Sequence, residues 1–295
     1  MWRDWLLRAA QFIGSLAGVV VLASLLSALS LPSHDIWSLL SAFGQRLSAD
    51  IHGDFGRSAV SGMPAMAEVF AVLPPTLQLV AAGAVLAFLL GVPLGIFLSA
   101  SRTLRAVAPL MQIIAATPVF VAALALIWIA VRVLHWREIP QPSILSFAAL
   151  MRAGDWNTAL HAFALPALTV GAAGAASVQL SLRRSATIAW SEPYRTGLRL
   201  MGLGTLDIDL RYAFPEVFAA LLRDLGEVML ALISATAVAE WVFDRDGVAV
   251  LFLKSAALGD WTVVAAALLI FATITLVFSL LGGIASRLIV PETNP

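Results

Sequence analysis

The chain has 295 residues, of which 60% are hydrophobic and only 12% charged, with a mean hydropathy of +0.92. Soluble domains carry about 25% charged residues, so this chain cannot coat a water-soluble globule of its size, and its outer surface faces lipid. Eighteen basic residues balance 18 acidic ones, which excludes the basic excess that nucleic-acid binding requires, and the absence of cysteine excludes disulfides, thiolate metal sites and a cysteine nucleophile.

A bilayer core about 30 Å thick takes roughly 20 apolar helical residues at about 1.5 Å each. Stretches at 10–31, 76–100, 107–131, 163–182, 216–239 and 262–286 meet this requirement. They predict an all-α polytopic protein with six spans in a single transmembrane domain over residues 1–295. Arg3 and Arg8 precede the first stretch as they would in a signal peptide, but its apolar core is long and further spans follow, so it reads as a retained helix. Basic residues close to the spans divide ten to seven in favour of the side that carries both termini, which predicts that both ends are cytoplasmic. On the opposite side the longest connection runs over about 32–75. His34, His52, His135 and His161 all fall on that side with no repeated ligand spacing, so no metal site is expected.

The single lysine, Lys254, has no glycine-rich approach, so the chain has no P-loop and any ATPase is another polypeptide. On the side of the termini one long connection, 183–215, is large enough to engage a partner. Within it Glu192-Pro193 reads as a helix start, because proline suits a first turn and an acid favours the N-terminal end of the helix dipole. A short helix over about 193–200 then stops at Gly202 and Gly204. The string Tyr194-Arg195-Thr196-Gly197-Leu198-Arg199-Leu200-Met201-Gly202-Leu203 is followed by Arg211-Tyr212-Ala213-Phe214-Pro215, with thirteen residues from Gly202 to Pro215. This resembles the EAA loop of ABC-transporter permeases, E-A-A-x3-G-x9-I-x-L-P. Gly202 and Pro215 match the pattern, whereas Thr196-Gly197-Leu198 replaces its acid and both alanines.

The resemblance extends along the chain. Asp54-Phe55-Gly56-Arg57-Ser58, then Leu73-Pro74-Pro75-Thr76-Leu77-Gln78-Leu79, are similar to the approach to the second span in dipeptide, oligopeptide and nickel permeases. Gly91-Val92-Pro93-Leu94-Gly95, Thr117-Pro118-Val119-Phe120 and Leu165-Pro166-Ala167-Leu168-Thr169 are similar to later segments of those permeases, as are Glu240-Trp241-Val242-Phe243 with Gly247, and Asp260-Trp261. The turn Asp244-Arg245-Asp246-Gly247 departs from the family's Trp-Pro-Gly-x-Gly-like pattern, and the short first outer loop with His52-Gly53-Asp54 leans towards the Sap-like branch.

The resemblance implies a type I importer permease fold of the MetI-like kind in a bacterial inner membrane. It implies a second, homologous permease, two cytoplasmic ATPase subunits that carry ATP and Mg, and an external solute-binding protein. No cofactor is expected in this chain. Under it Glu192, Tyr194, Arg195, Thr196, Gly197, Arg199, Gly202, Leu203 and Pro215 become the ATPase-coupling residues.

The fifth stretch contains Arg223, Asp224 and Glu227. On a continuous helix from about 216, Glu227 would lie near mid-membrane and Asp224 one turn closer to the cytoplasm. Asp224 and Glu227 share a face, and Arg223 and Glu227 are spaced to pair. A central charge costs about 2.5–3.5 kcal/mol on insertion scales, so these residues face either a cavity or a partner. An acidic translocation path for cationic cargo and a buried structural cluster are both consistent with this. A self-sufficient secondary transporter that uses Asp224 and Glu227 as cation carriers is the alternative, although the inverted repeats of such proteins are not visible. Substrate and direction of transport stay open at this level.

Overall fold

Apolar stretches set where this chain enters lipid, but helical hydrogen bonding carries its helices well past those limits. The computed structural model describes residues 2–28, 36–100, 116–136, 154, 156–191 and 193–290. Apart from an isolated bridge between Arg57 and Pro64, the regular elements among the described residues are helical. They are α1 (Trp2–Ala28), α2 (Ile36–Ile51), α3 (Ala65–Ala100), α4 (Val119–Arg132), α5 (Trp156–Ser191), α6 (Pro193–Leu200), α7 (Thr205–Ile208), a π-helical turn (Asp209–Ala213), α8 (Phe214–Arg223), α9 (Leu225–Val242), α10 (Val248–Ala257) and α11 (Trp261–Ile289). Five of these are long and apolar enough to cross a membrane, at Ala10–Ala28, Ala65–Ile96, Phe163–Ala186, Leu225–Val242 and Trp261–Ile289. The expected third span, 107–131, is represented by the 14-residue α4, and its first part lies outside the described residues.

Three boundaries differ from expectation. The connection expected over 32–75 contains α2 and the start of α3, which runs straight through Pro74-Pro75. The connection expected over 183–215 is largely helical, because α5 continues to Ser191. Arg183 and Arg184 end the apolar run without ending the helix, since no glycine or proline follows before Pro193. The fifth stretch is not one helix: α8 stops at Arg223 and α9 begins at Leu225, with Asp224 (φ −85°, ψ 6°) between them. At this bend Gly282 brings α11 against the Leu222 carbonyl, and Gly226 sits against Ser279.

Contacts group the chain into two compact units. One comprises 1–79, 137–166 and 236–276. Its core is Ala65, Val69, Val248, Val263, Ala266 and Ala267, with Leu73, Phe252 and Phe271 packed against them. Two buried carboxylates tie its segments together. Glu240 accepts a hydrogen bond from Thr76 Oγ1 at 2.6 Å through one oxygen and from the Ala249 N–H at 2.9 Å through the other, while Thr76 Oγ1 accepts from the Val248 N–H at 2.9 Å. Asp260 accepts from Ser58 Oγ at 2.5 Å, and the same Ser58 oxygen caps the turn by accepting from the backbone of Val60 and Ser61. Four of the segments that resemble the permease family one by one in the sequence are thus hydrogen-bonding partners, 54–58 with 260–261 and 73–79 with 240–247. In the same unit α1 packs on α2, where Ser24 Oγ donates to Asp50 at 2.6 Å. Burial pushes the Asp50 carboxyl above its usual range, against the opposing pull of the Ser24 hydrogen bond and Arg46.

The other unit comprises 80–136, 167–235 and 277–295. Here the second half of α3 packs on α5 through small residues, which let two helix backbones approach closely. Gly91 faces Val178, Gly95 faces Leu182, Gly171 faces Leu86, and Gly174 faces Ala87 and Leu232. A Cβ on Gly91 would sit 2.8 Å from that of Val178, so the packing depends on its absence.

Candidate functional site

The segment from α6 to the start of α8 lies wholly in the second unit and is too polar to enter lipid. Pro193 opens α6, with its fixed φ suited to a first turn. The helix ends as the spacing predicts. Gly202 takes φ +83°, its N–H reaches the Arg199 carbonyl at 3.0 Å, and the Leu203 N–H reaches that of Leu198 at 3.3 Å. A left-handed residue closing the last carbonyls is the usual glycine stop. Thr196, Gly197 and Arg199 are exposed, and Leu203 is half-buried. Tyr194 and Arg195 belong to α6, with side chains outside the described set, and Glu192 itself lies outside the described residues.

What the sequence reading missed is the apolar character of the tip. Leu200 is 84% and Met201 79% exposed, immediately before the stop. Leu210, Tyr212 and Phe214, from the π-helical turn and the start of α8, are exposed as well. Pro215 occupies the first turn of α8, and the Phe214 and Phe218 rings stack with centroids 6.0 Å apart. Removing a large apolar side chain from water contributes about 1.5–3 kcal/mol, so this rim of exposed side chains has the character of a surface for a protein partner. Its signal was present in the sequence as large apolar residues in a stretch too short and too polar to span.

The acidic residues stand differently from expectation. Because the helix bends at Asp224, Glu227 occupies the first turn of α9 rather than mid-span, where its charge favours the N-terminal end of the helix dipole. Glu227 and Arg223 are exposed, and no Arg223–Glu227 ion pair occurs among the described residues. Asp224 instead accepts a hydrogen bond from Ser181 Oγ of α5 at 2.6 Å. The continuous helix from about 216 on which Glu227 was expected near mid-membrane is thus interrupted at Asp224, and Glu227 falls near the start of the apolar helix Leu225–Val242. Among the described residues no cluster of three potential metal ligands occurs.

The sequence profile of the family described as "binding-protein-dependent transport system inner membrane component" matches residues 87–294. Similar proteins include the glutathione transport system permease protein GsiC of Escherichia coli (strain K12) and its counterpart in Shigella flexneri serotype 5b (strain 8401). Each is 28% identical over 233 residues, covering 79% of this chain and 72% of the relative.

Proposed function

The chain belongs to the family of binding-protein-dependent transport system inner membrane components and is a permease subunit of an ABC transporter; on that premise we propose that it moves peptides or related small solutes, coupled through α6 to separate ATPase subunits. As such a permease it works with ATPase and substrate-binding partners. The finer assembly proposed is this chain beside a homologous second permease, with two cytoplasmic ATPases binding ATP and Mg on the side of α6 and both termini, and a solute-binding protein on the opposite side of the bacterial inner membrane. The glutathione named for the similar permeases is itself a small peptide, which supports a peptide-like substrate class. The observation that carries coupling through α6 is the exposed Leu200-Met201 tip held by a left-handed Gly202.

Reconstitution tests the whole reading. Uptake of labelled peptide into vesicles is expected only with ATP, the ATPase subunits and the solute-binding protein present. Uptake by the permeases alone, driven by a proton gradient, would overturn it in favour of a secondary transporter.

Gly202 gives a narrower test. No atom lies within 4 Å of a Cβ built there, so substitution acts only through backbone strain. A left-handed L-residue costs about 1–2 kcal/mol, and a β-branched one pushes the helix stop out of shape. Gly202→Val is expected to cut co-purifying ATPase several-fold, while Gly202→Asn, which tolerates this conformation, retains most of it. Equal binding by both variants and wild type would count against α6 as the coupling element.

The acidic residues are assigned to the inner part of the path, where they favour peptide amino termini or other cationic groups, with Arg223 beside them. Asp224→Asn and Glu227→Gln are expected to lower uptake of a lysine-rich peptide more than that of a neutral one, with the complex still assembled. A loss of assembled complex in Glu227→Gln would mark a structural role instead.

A further inference from the structure

The contact between α1 and α2 brings together two acceptors over a single hydroxyl proton. Ser24 Oγ lies 2.6 Å from Asp50 Oδ2 and 2.8 Å from the Val20 carbonyl oxygen. A serine hydroxyl has one proton to donate, so it serves only one of these acceptors at a time. Were Asp50 ionised, the other short contact would be acceptor against acceptor. A protonated Asp50 satisfies both: its O–H donates to Ser24 Oγ, and Ser24 donates to Val20, one turn back on its own helix.

The surroundings favour the same state. Asp50 is 6% exposed and Ser24 is fully buried, and among the described residues no other hydrogen bond and no ion pair reaches the Asp50 carboxyl. A buried carboxylate needs several donors to offset its lost hydration, and a shared hydroxyl proton falls short of that. The charged and titratable neighbours do not reverse the balance. Residues 10–28 of α1 bear none. On α2 the half-buried Arg46 rests its guanidinium against Gly56. In the turn that follows, exposed Asp54 accepts from the Gly56 N–H, and the exposed His52 ring hydrogen-bonds with the Ser48 carbonyl. Burial is the largest influence on Asp50, while the attraction of Arg46 and the repulsion of Asp54 oppose each other. Because α2 is not among the membrane-crossing helices and runs directly into the exposed residues 51–54, the proton has a path to water.

We propose that Asp50 and Ser24 form a proton-binding site that closes α2 onto α1. The closed contact holds one proton on Asp50. On its release to water the buried carboxylate is left with Ser24 alone, and α2 loosens from α1. Burial makes Asp50 hold its proton more tightly than a solvated carboxyl does, so closure is complete below the ordinary carboxylate range and weakens as the pH rises through the raised value. Beyond α2 the chain enters the Ser58 turn held by Asp260 and then α3. The site thereby couples pH to how firmly the first span is held within its unit.

The cysteine-free chain allows a direct test in the assembled transporter in lipid nanodiscs, where both faces meet the same pH. Spin labels on Leu22→Cys, on the face of α1 away from Ser24, and on Gln45→Cys of α2 report the spacing of the two helices; both positions are exposed. One narrow distance is expected at low pH. As the pH rises a broad population is expected to replace it, with the ratio of the two changing by up to about tenfold per pH unit, as release of a single proton requires. In Asp50→Asn the amide donates to Ser24 as the protonated acid does, and the narrow distance is expected at every pH. His52→Gln and Asp54→Asn are expected to leave the titration in place, and they carry the test should Asp50→Asn fail to assemble. A distance that does not vary with pH overturns the proposal. So does a titration that persists in Asp50→Asn, or one that disappears in His52→Gln or Asp54→Asn, since the proton would then belong to another group.

Discussion

Glu240→Leu is expected to reduce the folded, membrane-inserted chain to a small fraction of the wild-type amount. Glu240 is 1% exposed, and both its oxygens are used, by Thr76 Oγ1 and by the Ala249 N–H. Leucine would leave that N–H unpaired and Thr76 with one partner fewer. A buried group stripped of its partner costs about 1–3 kcal/mol, and breaking a buried charged network costs about 3–5 kcal/mol. That is a large share of a typical stability of about 5–15 kcal/mol. Arg245 adds to the loss. Its guanidinium stacks 4.7 Å above the Phe163 ring, and burial pushes its pKa down while the nearby Glu240 charge pulls it back up. Without Glu240 that buried cation loses its compensating charge. Gly247 packs directly on the Glu240 carboxylate, so Gly247→Val is expected to fail in the same way by steric conflict. Glu240→Gln keeps the shape and one acceptor oxygen and should fall between leucine and wild type. Detergent-extracted yield and thermal midpoint measure the effect; a leucine variant at wild-type level would show that the network contributes nothing to folding.

That network also shows what was legible in the sequence and what was not. Membrane spans were readable because lipid demands long apolar runs, and the α6 stop was readable because proline and glycine act locally on the backbone. Pairings such as Thr76 with Glu240, or Ser58 with Asp260, join residues far apart in the chain. No local rule exposes them, although each segment stood out by its likeness to the peptide-permease pattern. Some helix ends lie well beyond the limits that hydropathy sets, as at Ala65 and Ser191, because a helix ends where its backbone does and not where its apolar stretch does. The break at Asp224 lies where α11 approaches closely at Gly282, a tertiary contact that no 3.6-residue period predicts. It leaves Glu227 in the first turn of α9. The Leu200-Met201 tip was on view in the sequence, but its meaning depends on exposure, which only the fold supplies.

The combined change Leu200→Asp and Met201→Asp is expected to abolish stable ATPase binding while leaving insertion of the chain intact. Neither side chain supports the folded permease in a way that burial would reveal: at 84% and 79% exposure they contribute little to the core of their unit. Surface substitutions of this kind usually change stability by no more than about 0.5 kcal/mol. In a complex the same two side chains would enter an apolar groove as the tip of a short helix. Interface anchors of this type cost about 2 kcal/mol or more each when lost, and that amount alone weakens binding roughly thirtyfold. Aspartate also brings a charge into the groove, so the two changes together should take a nanomolar complex to the micromolar range or beyond. Arg199→Ala, at the residue just before Leu200 on the same exposed helix, serves as the graded control and should weaken binding less, because a charge at an interface rim contributes little to affinity. The measurement is the dissociation constant of the ATPase subunit from the purified permease, read beside the solubilised yield of each variant. Unchanged affinity with unchanged yield would remove α6 from the coupling path and move the search to the exposed Leu210, Tyr212 and Phe214.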